Sequence, residues 1–316
     1  MFREPFLQSP QWQKFQEANG RTCVSSGFGL GVIEALPIVG NYVYLPRGPV
    51  LDVSSIKYQV SSIEEELTHL AKEHKAGWIR VEPGSIDELE TLRSVFSDCR
   101  IVPAPHDVQP REILVMNIDS DENTLLAQMK SKTRYNVRLA EKQSVSIRFS
   151  RAASDIELFI DLIYATTERK SIRPHPKQYY RNFFTVFSET ECVLALAEHE
   201  GKVLAANLLV FHAGATYYLH GGSSDEGRHL MAPYLLQWES IREAKQRGCT
   251  LYNFGGVSTK GDHGAWAGIT RFKQGFAPAT ASMIFPGTYD IILSSGRYFL
   301  YNLLRKLQNA KKQMKL

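Results

Sequence analysis

The sequence predicts an α/β chain built from two similar halves, on three observations. Helix-capping signals alternate with short apolar runs along the length. In the second half, two tight-turn signals join three strand-like runs. A chain of 316 residues also suffices for two domains of about 150 residues each. With 43% hydrophobic and 22% charged residues, it has the balance of a well-packed globular protein.

Ser9-Pro10 ahead of Gln11-Trp12 is an N-cap followed by proline at the first helical position, which predicts a short opening helix. Strands are expected over residues 31–36 and 41–45, the second ending at the Pro46-Arg47-Gly48-Pro49 turn. Ser62-x-x-Glu65 is a capping box, continued as an amphipathic helix by Ile63, Leu67 and Leu70. A strand over 78–81 follows, then a second capping box at Ser85-x-x-Glu88, opening a helix to about Phe96, and a strand over 113–118. One helix is expected from Thr124 to Lys142. There Lys130, Arg134, Arg138 and Lys142 recur at steps of four, so all four share a face opposite Leu126, Met129, Val137 and Ala140. That face is either a solvated cationic stripe or a contact for phosphate or RNA.

The second half repeats the grammar. After a strand over 145–149, Ser154-x-x-Glu157 is expected to open a helix to about Arg169, and another spans 177–187. Strands over 192–198, 203–211 and 216–221 are joined at Glu200-Gly201 and Ala213-Gly214. Tyr218 and His220 alternate along the last of these and should face together, as a substrate wall or as core packing. A helix over 230–246 ends at Gly248, a left-handed C-cap. The expected domains are 1–144, completed by a closing helix over 297–316, and 145–296.

Composition excludes several classes. The longest apolar runs fall far short of the roughly 20 residues that cross a bilayer. The Met-Phe-Arg-Glu-Pro start has no cationic segment leading into an apolar one, so a cytoplasmic protein is expected. Cys23, Cys99, Cys192 and Cys249 form no C-x-x-C pair, and nine histidines show no metal-ligand spacing. No metal is expected, and Asp262-His263 reads as loop polarity. The net charge of +4, with a pI near 8.7, is only mildly basic. Its distribution is more telling. Arg297, Arg305, Lys306, Lys311, Lys312 and Lys315 close the chain with no acidic residue among them, and Phe299, Leu300, Leu303, Leu304 and Leu307 recur at helical spacing. Such a helix either closes the fold or meets lipid head groups or tRNA phosphate.

The stretch from Leu251 to Val257, Leu-Tyr-Asn-Phe-Gly-Gly-Val, followed by Arg271-Phe272-Lys273-Gln274-Gly275-Phe276, sets a strand, a paired-glycine loop and a lone cation close together. Together with Tyr44-x-Pro-Arg-Gly-Pro-Val50, the 130–140 segment, Thr166-Thr-Glu-Arg169 and Gly221-Gly-Ser-Ser224, it resembles the Fem family (FemABX) over nearly the whole chain. The resemblance implies two tandem GNAT-like acyltransferase domains, the C-terminal helix packing back on the first. It also implies a tRNA-dependent aminoacyltransferase of interpeptide bridge formation. Aminoacyl-tRNA would be its co-substrate, with no cofactor, and a nucleotide- or lipid-linked peptidoglycan precursor its acceptor; peripheral contact with the membrane is compatible with the basic tail. The absence of a long helical-hairpin arm makes the chain similar to the smaller members.

In the members it resembles, the lysine matching Lys273 lies near the reacting ester, where a cation would stabilise the tetrahedral oxyanion. The plainer reading is a lysine that caps a helix or meets solvent. Arg47, Arg169, Tyr218, Asn253 and Arg271 are expected to bind substrate, and Lys130, Arg134 and Arg138 to bind tRNA or phosphate. For Arg47 and Arg169, an ion pair with a carboxylate such as Glu168 stands beside that reading. Where this chain has Asn253 the family often has aspartate, so no carboxylate role is assigned there, and no general base is named. Two alternatives compete: an acyl-CoA-dependent N-acyltransferase on the same fold, and a non-catalytic module that binds RNA or envelope precursors. The first needs a glycine-rich pyrophosphate loop, and residues 223–232 offer one glycine and two acids.

Overall fold

The computed structural model describes residues 4–51, 60–170, 172–259 and 266–313. Asp262 and His263 lie outside them. Along the chain the first elements are α1 (Pro10–Ala18), β1 (Thr22–Ser26), β2 (Gly29–Leu36), β3 (Gly40–Leu45), α2 (Val60–Glu73), β4 (Ala76–Val81), α3 (Ile86–Val95) and β5 (Arg100–Pro103). Then come β6 (Glu112–Asn117), α4 (Glu122–Gln128), α5 (Ser131–Lys142), β7 (Ser146–Ser150), α6 (Ala153–Arg169), α7 (Lys177–Val186), β8 (Cys192–His199), β9 (Lys202–His212) and β10 (Ala215–Ser223). The last are α8 (Ala232–Gln246), β11 (Leu251–Gly256), α9 (Ala267–Phe276), β12 (Met283–Ile284), β13 (Tyr289–Ile292) and α10 (Ser295–Gln313).

Two compact units divide the chain, one of residues 1–111 with 285–316 and one of 112–284. The division falls at 111/112 and 284/285, where the sequence reading put it at 144/145 and 296/297. The reason is pairing: β6 hydrogen-bonds to β11 and β12, which ties residues 112–117 to the second sheet. The first sheet runs β1-β2-β3-β4-β13-β5 and the second β12-β6-β11-β10-β9-β8-β7. Each has one parallel pair, β3 with β4 and β10 with β11, and in each the crossover is made by a helix, α2 or α8. An antiparallel meander, a helix and a parallel strand in both units is the expected GNAT-like pattern in tandem.

The local signals act as expected in several places. Ser9 Oγ accepts from the Trp12 amide at 3.1 Å, and Ser85 Oγ from the Glu88 amide at 3.2 Å, while the Glu88 carboxylate accepts from the Gly84 amide at 2.7 Å. Both hairpins of the β8-β9-β10 meander turn on two residues with positive φ, Glu200-Gly201 and Ala213-Gly214, the primed turns that match strand twist.

Other expectations need correction. Helix α2 is already helical at Val60, so Ser62 sits inside it and not at its N-cap. Helix α6 begins at Ala153, ahead of Ser154, where Arg148 grips Asp155 through two 2.6 Å bonds. The single helix over 124–142 is two, because Met129 and Lys130 turn extended and the Lys130 amide donates to the Gly275 carbonyl at 2.9 Å. That break leaves Lys130 at the N-cap of α5, with Arg134, Arg138 and Lys142 still in step along the helix. Arg134 folds back onto the carbonyls of Ala127 and Met129 at the end of α4, and Lys130 flanks α5 while Arg138 stays exposed on it.

The closing helix packs back on the first unit. Trp78 of β4, fully buried, meets the rings of Tyr298 and Tyr301 at 5.5 and 5.0 Å, and Arg297 donates to the carbonyls of Val39 and Lys75. Beneath them Arg80 and Asp290 form a buried bidentate ion pair at 2.7 and 2.8 Å, and Tyr298 donates to the same carboxylate at 2.8 Å. Removing one partner of such a pair strands the other charge in the interior. Asp290→Ala is therefore expected to cost about 3–5 kcal/mol in urea denaturation. A loss below about 1 kcal/mol would show that the pair does not hold β13 to β4.

Candidate active site

Strands β10 and β11 lie parallel for only three residue pairs, from Ala215 opposite Leu251 to Tyr217 opposite Asn253. Past that point β10 continues along β9 to Ser223, while the pairing of β11 with β6 shifts register between Asn253 and Gly256. Beyond the parting, β10 lines a cavity of about 220 Å³. Its walls include Tyr218 and Gly222 of β10, Gln237 of α8, Phe272 of α9, and Thr166 with Lys170 at the end of α6.

The register shift is built by Asn253. Its side-chain oxygen accepts from the Gly255 amide at 2.7 Å, folding the strand into a turn that Gly255 completes at φ +73°, a region open to glycine. Asn253 itself is buried. The same turn sets the Gly256 carbonyl to accept from Lys273 Nζ at 2.7 Å. Helix α9 brings the lysine there. Phe272 and Phe276, four apart, pack on Tyr234, and Phe276 also meets Phe254. Gly275 lets α5 approach, since a β-carbon there would meet Thr133 Oγ at 2.4 Å. Lys273 is thereby turned inward and is only 5% exposed, its Nζ 5.9 Å from the centre of the Tyr218 ring.

Burial lowers the Lys273 ammonium from its ordinary range to about 7, and the charge of Lys170 adds to the effect. Burial also pushes the Tyr218 phenol up to about 12, so it stays a neutral donor. Asn207 and Gln237 extend the polar wall. The Asn207 amide donates to Gln237 at 3.3 Å, and Gln237 donates to the Tyr252 hydroxyl at 2.6 Å.

The sequence-derived residues divide on this geometry. Lys273, Asn253 and Tyr218 come together. Arg169 is close by but engaged, donating to the Ser223 carbonyl at 2.6 Å and to Thr166 Oγ at 3.2 Å and pairing with Asp225 at 3.4 Å, so it clamps α6 to the end of β10. Arg271 is exposed on α9, and Lys130, Arg134 and Arg138 belong to the α4–α5 surface. Arg47, in the first unit, is buried. Its guanidinium bonds Glu4 at 2.6 Å and the Pro110 carbonyl at 2.9 Å and lies 3.8 Å over the Phe285 ring, which is the ion-pair alternative in place of the expected substrate contact. Tyr218 and His220 do not face together, because the pairing of β10 with β9 shifts register between them. His220 packs instead among His175, Tyr179, Tyr180 and Phe183, where burial and then His175 lower its pKa to about 3.

Sequence reasoning missed Lys170 and Gln237. Lys170 directly follows the quoted Thr-Thr-Glu-Arg run, and Gln237 interrupts the apolar Tyr234-Leu235-Leu236 stretch of α8. A lone polar residue in an apolar helical run was the available signal.

The FemAB family model matches residues 2–98, 85–202 and 195–306. The chain is 24% identical over 235 residues to the UDP-N-acetylmuramoylpentapeptide-lysine N(6)-alanyltransferase of Weissella viridescens, covering 71% of this chain and 69% of that protein. It is 24% identical over 342 residues to the lipid II:glycine glycyltransferase of Staphylococcus saprophyticus, covering 85% of this chain and 81% of that protein. The crystal structure of FemX superposes with a TM-score of 0.80 at 20% identity, covering 93% of this chain and 94% of that one, and so shares the fold.

Lys273 should cost the protein stability. Between the folded value of about 7 and the ordinary value of 10.5, the unfolded chain holds a proton that the native chain lacks. Native stability therefore rises with pH across that window, and the penalty is greatest below it. Lys273→Met, which leaves the Gly256 carbonyl without its donor, is expected to gain about 1–3 kcal/mol near pH 7 and to lose that gain as pH approaches 10. Denaturant titrations of both proteins across this range test it, and a pH-independent difference would refute the buried-amine reading.

Proposed function

The chain belongs to the FemAB family, and from that premise we propose that it is an aminoacyltransferase moving an amino acid from aminoacyl-tRNA to the side-chain amine of a peptidoglycan precursor's stem peptide, in interpeptide bridge formation. The observation that carries this reading is Lys273, held on the Gly256 carbonyl with its amine 5.9 Å from the centre of the ring of Tyr218, which lines the cavity. Both curated relatives are named for adding alanine or glycine to such precursors.

In the proposed reaction the acceptor amine attacks the carbonyl carbon of the aminoacyl ester, forming a C–N bond and a tetrahedral oxyanion. Collapse breaks the ester C–O bond, and the ribose oxygen leaves with the proton shed by the amine. Lys273 supplies the cation that faces the oxyanion. With its pKa lowered to about 7, developing negative charge draws it to the ammonium form, so the stabilisation grows toward the transition state. Tyr218 offers a neutral hydroxyl on the same wall, and Lys170 a cation for the phosphate of the donor's 3′ end. The cavity, about 220 Å³, suits an aminoacyl group of modest size.

Acyl-CoA is disfavoured as donor by the turn ahead of α8. Asp225 stands there in ion pairs with Arg169 and Arg228, next to Glu226, where a pyrophosphate would need bare backbone amides.

Mass spectrometry of soluble and lipid-linked precursors, incubated with the protein, charged total tRNA and free amino acids, tests the reading. A gain of one amino-acid residue that ribonuclease abolishes is expected. Lys273→Met should lower kcat about a hundredfold to a thousandfold with little change in KM for the precursor. Consumption of an acyl-CoA without any gain on a precursor would overturn the proposal.

A further inference from the structure

Helix α10 has two apolar faces, and only one of them is used by the fold. Tyr298, Tyr301 and Leu304 turn inward onto Trp78 and its neighbours. On the other side Phe299 is 69% exposed, Leu303 42% and Leu307 52%. These three recur at steps of four, so they form one stripe along the outside of the helix, and exposed Lys306 and Ala310 fall on the same side by helical spacing. Large side chains lined up in water are costly and mark a contact surface.

Charge identifies what that surface meets. From Ile291 to Leu316 the chain carries Arg297, Arg305, Lys306, Lys311, Lys312 and Lys315 and no acidic residue. Arg297 is spent on backbone carbonyls of the first unit, which leaves the other five in the second half of the segment. An aliphatic and aromatic stripe edged by cations, on a helix too polar to span a bilayer, is the pattern of a helix that lies in the interface of an anionic membrane. RNA would reward the cations and leave Leu303 and Leu307 uncovered. A second copy packed on the same stripe would set this acid-free segment against itself.

We propose that the outer face of α10 docks the protein on an anionic lipid bilayer, with Phe299, Leu303 and Leu307 entering the interface and Lys306 on the head groups. The inference stands on the first unit alone and does not depend on the transfer reaction. Docking would bring a lipid-linked acceptor into reach without a transmembrane helix.

Flotation of the full chain with phosphatidylcholine vesicles, with and without phosphatidylglycerol, tests the proposal without any substrate. Binding is expected only with phosphatidylglycerol and should weaken with salt. Phe299→Ser, Leu303→Ser and Leu307→Ser together should reduce it about tenfold or more, and Lys306→Glu alone severalfold, with unchanged circular dichroism and melting. Equal flotation of the triple variant would overturn it. So would tRNA binding or concentration-dependent dimers that need the same residues while the vesicles stay bare. Transfer to a soluble precursor should survive in the triple variant, so failure of docking and failure of the transferase reading are separable.

Discussion

A parallel strand pair that holds for three residues and then parts governs the second unit. Parallel strands must be joined by a crossover, and α8 supplies it between β10 and β11, placing its own polar side chains, Gln237 among them, over the gap. The gap persists because β11 is diverted by the Asn253 turn and β10 is held to β9 by its antiparallel pairing. Cavity, carbonyl and lysine all follow from that divergence. The lysine helix needs Phe254 and Tyr234 for its aromatic seat and Thr133 for close approach, so the site is supported from three directions.

Lys273 shows where stability and function oppose each other. A buried amine with one carbonyl partner is a poor structural choice, and a methionine of similar length would fill the same space without desolvating a charge. The protein instead surrounds the amine with groups that do not neutralise it. Tyr218 stays protonated, the Gly256 carbonyl accepts without carrying charge, and the charge that acts on the amine is another cation, Lys170. In the proposed reaction, such a group's charge state would respond to an oxyanion formed beside it. An ion-paired lysine would be more stable and would have less left to offer an oxyanion.

Much of this was legible in sequence where the signal is local. Ser9-Pro10, Ser85-x-x-Glu88 and both hairpin turns read correctly, because capping and turn chemistry act over three or four residues. Failures came where a distant partner decides. Strand β13 is four residues whose pairing with β4 and β5 spans most of the chain, and β1 is a polar run of Thr-Cys-Val-Ser-Ser with no periodicity to betray it. The break at Met129-Lys130 contains neither glycine nor proline; it is imposed by the Gly275 carbonyl. Arg47 read as a substrate contact because its counter-ion, Glu4, lies 43 residues earlier. Tyr218 and His220 were separated by a register shift that leaves no mark on strict alternation.

The same topology in the first unit has been closed instead of opened, and this contrast argues for where the chemistry belongs. There β3 and β4 remain paired up to Leu45 and Val81, and the Glu82 amide then donates to the Gly48 carbonyl at 2.8 Å, extending the join past the ladder. The Glu82 carboxylate accepts from Tyr44, the Arg47 amide, Gln109 and Thr288, so the point at which β10 and β11 part is here filled by a satisfied polar hub. Arg47 beside it is spent on Glu4 and a carbonyl. A carboxylate with four donors is fixed in place and has little capacity left for a substrate. The second unit keeps a gap and, among the described residues, an amine without a counter-ion, which is the unsatisfied chemistry that the proposed ester donor would complete.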